Sequence, residues 1–206
     1  NHRFNEYHET EIGFFGFFET VEDFDVARSL LDEARSWVEN RGMKVLRGPG
    51  EYSNATHERQ GVLICGFDTP PTVELTHNPP YYGEFLDRYG FEKAKDYYGF
   101  AGEEVNPEHP ARLARIAERV RKRYGVTTRE ANLRQLDEEI RLLVMIYNEA
   151  WARNWGFLPL TDEDAHALAE TLRPVLVPEL VLFGYVDGEP AAVLGGLPDL
   201  YVPLRP

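Results

Sequence analysis

Ile12-Gly13-Phe14-Phe15-Gly16-Phe17-Phe18-Glu19 is an aromatic run with no polar alternation, the pattern of a strand buried on both faces and central in a sheet. Beyond it Phe24, Ala27, Leu31, Ala34 and Val38 recur at helical spacing, with Leu30 and Trp37 beside them. Asp23 supplies a capping carboxylate in front of this helix and Gly42 a stop behind it. Met43 to Arg47 then reads as a second strand. Strand, helix and strand in that order predict a right-handed crossover between parallel strands, and with it an α/β fold with a mixed (α+β) sheet.

Further along, Gly48-Pro49-Gly50 breaks the chain into a polar loop running to Gln60, and Val62 to Phe67 reads as a third strand. Pro70-Pro71 and Pro79-Pro80 bracket an irregular segment. Tyr82 to Tyr89 forms a short helix stopped by Gly90, and Lys93 to Phe100 an aromatic strand. Asn106-Pro107 is a cap with a first-turn proline for a basic helix that ends at Gly125. Val126 to Asn132 reads as a strand, and Ile140, Leu143, Val144, Tyr147, Ala150 and Trp151 mark a long helix from Leu136. Thr161-Asp162-Glu163-Asp164 caps another helix to about Leu172. Leu180 to Val186, the turn Asp187-Gly188, and Pro190 to Leu197 read as a hairpin. The acidic, proline-bearing link Gly102 to Pro110 is the expected seam, which gives domains 1–104 and 105–206.

A net charge of −13 opposes the phosphate neutralisation on which nucleic-acid binding rests, so no nucleic-acid partner is expected. Arg112, Arg115, Arg119, Arg121, Lys122 and Arg123 alternate with Leu113, Ile116, Ala117 and Val120, the pattern of an amphipathic helix with a solvated basic face. No apolar run reaches the ~20 residues of a membrane helix, so no membrane partner is expected either. The single cysteine, Cys65, lies in an apolar run where a small buried hydrophobe fits, and without a disulfide partner it points to a reducing, cytoplasmic compartment. The start Asn1-His2-Arg3-Phe4 reads as a cut from a longer chain.

Tyr89-Gly90-Phe91-Glu92-Lys93 resembles the Gly-Phe turn that joins the last helix and strand of the GNAT (N-acetyltransferase) superfamily. The later helix bearing Asn148-Glu149-Ala150-Trp151, a second helix and the Asp187-Gly188-Glu189-Pro190 hairpin look like the first half of another such fold. Gly13 to Glu19, Gly66-Phe67-Asp68, Asn78-Pro79-Pro80-Tyr81-Tyr82 and Asn148 to Phe157 are similar to segments of tandem GNAT-like proteins. The resemblance implies a GNAT-like acyl-CoA N-acyltransferase fold, incomplete or formed from the back half of one domain and the front half of a second. It further implies a parent protein that moves an acyl group from acetyl-CoA or another acyl-CoA to a small-molecule amine or amino-acid-like acceptor.

In that superfamily a loop patterned Gln/Arg-x-x-Gly-x-Gly/Ala, at a helix N-terminus, holds the CoA pyrophosphate through bare amides. The matching segment here, Glu19-Thr20-Val21-Glu22-Asp23-Phe24-Asp25, has no glycine and four carboxylates. Leu86 stands where the superfamily often carries a tyrosine acid, and leucine donates no proton. Both departures favour a fragment that does not bind acyl-CoA tightly, a non-catalytic binding or scaffold module being the alternative reading, and no catalytic residue is assigned.

The resemblance makes Asn78, Tyr81 and Tyr82 contacts of the pantetheine arm, against the plainer reading of surface aromatics pinned by the double proline. It sets Asn148, Trp151, Asn154 and Trp155 beside the acceptor cleft. The spacing of Asn148, Trp151 and Trp155 puts them on one helical face, where the plainer reading makes both Trp rings core. His57-Glu58 lacks a third ligand at metal-binding spacing, and no metal is expected. Open edges of two half-sheets would be covered by each other or by a second copy, as a homodimer.

Overall fold

The computed structural model describes residues 1–50, 60–72, 75–100 and 108–199. It is a mixed α/β chain with small sheets, as the sequence leads one to expect. Two compact units are built on Asn1–Gly99 and on Phe100–Pro198.

In the first unit, helix α1 (His2–His8), strand β1 (Ile12–Phe14), helix α2 (Phe24–Glu39), strand β2 (Val45–Arg47) and helix α3 (Tyr81–Tyr89) follow in order. β1 and β2 are parallel, with Ile12 opposite Val45, so the expected crossover is present. Asp23 caps α2 by accepting from the Asp25 amide. Ala27, Leu31 and Val38 turn inward along α2, where Val38 sits so close to β1 that a Cβ on Gly13 would collide with both of its methyl groups. α3 ends at Gly90 in a left-handed conformation with φ 106° and buries Tyr82 and Leu86.

β1 is shorter than the aromatic run suggests, and among the described residues it has one strand neighbour rather than two. Asn5, on the unforeseen helix α1, explains this. Its side chain accepts from the Ile12 amide and donates to the Ile12 carbonyl, at 3.0 Å each, which occupies the edge that another strand would need.

The strand expected over Val62–Phe67 is absent for a related reason. The Leu63 amide donates to Asn78 Oδ1 at 2.7 Å, and Gly66, at φ 86°, opens a turn closed by the Thr69 amide. Backbone groups committed to a side chain and a turn cannot join a ladder. Cys65 is correspondingly exposed rather than buried. Lys93–Phe100 is likewise not a strand: Lys93 pairs with Asp96 at 3.0 Å, and Tyr98 and Phe100 face solvent. The Asn106-Pro107 cap and the His57-Glu58 pair lie outside the described residues.

The second unit runs helix α4 (Glu108–Tyr124), strand β3 (Val126–Glu130), helix α5 (Leu136–Trp151), helix α6 (Asp162–Leu172), strand β4 (Val181–Val186) and strand β5 (Glu189–Gly195). The three strands form an antiparallel sheet with β4 in the middle. Asp187 and Gly188, both at positive φ, make the tight turn between β4 and β5. Pro190 is tolerated because β5 lies at an edge of this sheet. Val181, Phe183 and Tyr185, alternate residues of β4, share one face and pack with Ala131, Ile146 and Leu143. Thr161 and Asp164 form a reciprocal capping box at the start of α6. α4 is the exception to this economy: every described side chain from Pro110 to Tyr124 is exposed.

Candidate functional site

In the first unit, the three residues assigned to the pantetheine arm all hold backbone. Asn78 is buried, and beyond its bond to Leu63 it donates to the Pro79 carbonyl at 2.8 Å. Tyr81 donates its hydroxyl hydrogen to the Thr20 carbonyl at 2.9 Å. The Tyr82 hydroxyl donates to Glu19 Oε2 at 2.8 Å and accepts from the Thr20 amide at 3.1 Å. Burial pushes the Tyr82 phenol above its ordinary range and the Glu19 carboxylate adds to the rise, while the Thr20 amide pulls the other way.

The segment that would cradle a pyrophosphate is therefore tied to α3 and satisfied from within. Thr20 N–H is taken by Tyr82, Asp23 N–H by the Val21 carbonyl at 2.7 Å, and Asp25 N–H by the Asp23 side chain at 2.9 Å. A phosphate needs converging free amides, and these three are already bonded. Asp25 pairs with Arg28 at 3.1 Å, and Arg88 lies 3.9 Å over the Phe24 ring, so the nearby guanidinium groups have partners of their own. Residues present at this helix start do not fit an incoming pyrophosphate. Leu86, which the resemblance sets in a tyrosine position, is buried.

In the second unit, Asn148 projects from α5 and clamps Leu160 with two hydrogen bonds. Its Oδ1 accepts from the Leu160 amide at 2.8 Å and its Nδ2 donates to the Leu160 carbonyl at 2.9 Å. This fixes the segment Phe157-Leu158-Pro159-Leu160, whose Phe157, Leu158 and Leu160 side chains are buried. Trp151 stacks on Tyr147 at 5.1 Å between ring centroids, and Phe157 lies 5.8 Å from Tyr147 on a tilted approach.

Trp155 departs from the helical-face expectation, because α5 ends at Trp151. The Asn154 amide donates to the Trp151 carbonyl and the Phe157 amide to the Asn154 carbonyl, which turns the chain before Gly156 at φ 69°. Asn148 and Trp151 thus share the helix, whereas Asn154 and Trp155 lie on the exposed turn behind it.

The chain is similar to a bacterial ceramide synthase. It is 35% identical over 191 residues to the protein of that name from Caulobacter vibrioides, a match that covers 91% of this chain and 48% of the relative. It is also 28% identical over 190 residues to Protein YghO of Escherichia coli, with 92% of this chain and 48% of the relative covered. The chain spans about half the length of these curated relatives. No family model matches, and no solved structure matches.

Sequence reasoning missed two features of the second unit. Tyr147 has a fully enclosed hydroxyl with no hydrogen-bond partner among the described residues, and burial pushes its phenol up to about 12. Arg129 on β3 reaches Glu139 on α5, its Nη1 donating to both carboxylate oxygens at 2.8 and 3.0 Å, while its Nε donates to the Tyr185 hydroxyl at 2.9 Å. The bond to Glu139 is the main reason the guanidinium is held above its ordinary range. The Asn132 amide also donates to Glu139, at 3.2 Å. The available signal was positional: Glu139 lies seven residues before buried Ile146, so a carboxylate occupies the apolar stripe of α5 and demands a cation. Among the described residues no cluster of His, Cys, Asp or Glu is suited to a metal ion, and no helix is long and apolar enough to cross a membrane.

Proposed function

We propose that this chain is part of an N-acyltransferase that joins the acyl group of an acyl-CoA to a long-chain amine. The observation that carries the reading is the 35% identity to a bacterial ceramide synthase over 91% of the chain, since a ceramide is the amide of a fatty acid with a long-chain amino alcohol. In the reaction the neutral amine nitrogen attacks the thioester carbonyl, a C–N bond forms, the C–S bond breaks, and CoA leaves as the thiol with the proton the amine gives up. A GNAT-like fold for the assembled protein rests on the residue-level resemblance around Gly90-Phe91 and Asn148 to Phe157.

Within that reading the first unit supports rather than catalyses. The bonded amides of Thr20, Asp23 and Asp25 and the buried leucine at position 86 favour this division, and they motivate a search for the CoA site in the half of the protein beyond this chain. The second unit, with Asn148 clamping Leu160 beside the Tyr147, Trp151 and Phe157 rings, is the part we assign to the acceptor side. Calorimetric titration of the whole protein with acyl-CoAs of increasing chain length tests the donor half of the proposal. Saturable binding that tightens with acyl length is expected, and no heat from any thioester would contradict it.

A further inference from the structure

Helix α4 carries an apolar strip that the other described residues leave largely uncovered. Leu113, Ile116, Val120 and Tyr124 are 61%, 45%, 41% and 49% exposed. They fall at i, i+3, i+7 and i+11, one continuous stripe over about 17 Å of helix. Ile116, Val120 and Tyr124 line a shallow groove together with Arg119 and Arg123.

The charges are arranged around that stripe. At 100° per residue Arg112, Arg119 and Arg123 fall along one border of it and Arg121 along the other, while Glu118 lies on the far side, paired with Lys122 at 3.1 Å. In a chain of net charge −13, this one helix holds six basic residues against two acidic ones. Long guanidinium stems on both borders of an apolar stripe are the arrangement that lets charged heads meet phosphates while the stripe enters the acyl boundary.

We propose that α4 is a docking helix for an anionic lipid surface, lying flat with Leu113, Ile116, Val120 and Tyr124 inserted and its border arginines on lipid phosphates. Charge complementarity selects this occupant. A second copy of α4 would bring arginine borders against arginine borders, and a neutral apolar partner would leave them without counter-charge. The expectation that no membrane partner exists came from the absence of a spanning segment, and a helix lying in the interface needs no span. The inference stands on α4 alone and does not depend on the acyl-transfer reading.

The test is co-sedimentation of the whole protein with vesicles of phosphatidylcholine alone or mixed with phosphatidylglycerol. Pelleting with the mixed vesicles alone is expected, weakening as salt shortens the Debye length from about 10 Å at 0.1 M to about 3 Å at 1 M. Arg112→Gln, Arg119→Gln and Arg123→Gln combined, all at exposed positions, should lower the vesicle partition coefficient by about a hundredfold at an unchanged melting temperature, taking roughly fivefold per arginine. Ile116→Asp should abolish pelleting while leaving the circular dichroism spectrum unchanged. Absence of pelleting, pelleting indifferent to the arginine substitutions, loss of folding by Ile116→Asp, or its conversion of a dimer to a monomer in light scattering would each overturn the proposal.

Discussion

Tyr147 encloses a hydroxyl that among the described residues bonds to nothing, and a buried donor without an acceptor is a standing penalty of about 1 kcal/mol or more. Tyr147→Phe keeps the ring between Trp151 and Phe157 and removes the penalty, so the variant should be more stable by about 1 kcal/mol in urea unfolding at neutral pH. The same group sets an alkaline limit. Its phenol titrates near 10 when unfolded and at about 12 when folded, so between those values the unfolded chain releases a proton that the folded one retains. Its contribution is therefore complete below pH 10 and fades as pH rises toward 12. Stability measured across that window should fall in the native protein and fall less in Tyr147→Phe. Glu139 presents the opposite case, a buried carboxylate that is fully partnered. Glu139→Gln leaves Arg129 facing a neutral amide and should destabilise by about 2 kcal/mol, less than a fully buried pair would lose because Arg129 is partly solvated.

At the scale of elements, close approach and local closure decide what forms. Gly13→Ala forces a methyl into Val38 at the contact between β1 and α2, and a cost of about 2 kcal/mol should appear as a lower midpoint in denaturant. A glycine introduced at Glu22 should leave the acyl-CoA affinity of the whole protein unchanged in calorimetry, because Tyr82 would still hold the Thr20 amide and Asp23 the Asp25 amide. Elements whose signals are local were legible in the sequence. The Asp23 cap, the Gly90 stop, the Thr161 capping box and the Asp187-Gly188 turn each act within a few residues, and the helices and hairpin they bound are present. Strands were legible only where a neighbouring strand exists. Val62–Phe67 and Lys93–Phe100 have strand composition, but a side chain and a turn hold the backbone of the first, the second has no neighbouring strand among the described residues, and Asn5 takes the edge of β1 through contacts that composition does not encode. For the candidate site, the types and positions of Asn148 and Trp151 were readable. The helix end that separates Trp155 from them, and the pairing of Glu139 with Arg129, depend on the tertiary path of the chain.

At the scale of the whole molecule, this chain matches about half of each curated relative. Among the described residues its first unit contains a two-stranded parallel sheet. The proposal divides the work between a supporting first unit, an acceptor-side second unit and a donor site outside them. The most direct measurement is product formation by the whole protein supplied with an isotopically labelled fatty acyl-CoA and a long-chain amino alcohol, read by mass spectrometry together with free thiol. A labelled amide in equal amount to the CoA released is expected. CoA released without amide, or neither product from any acyl-CoA and amine pair, would contradict it.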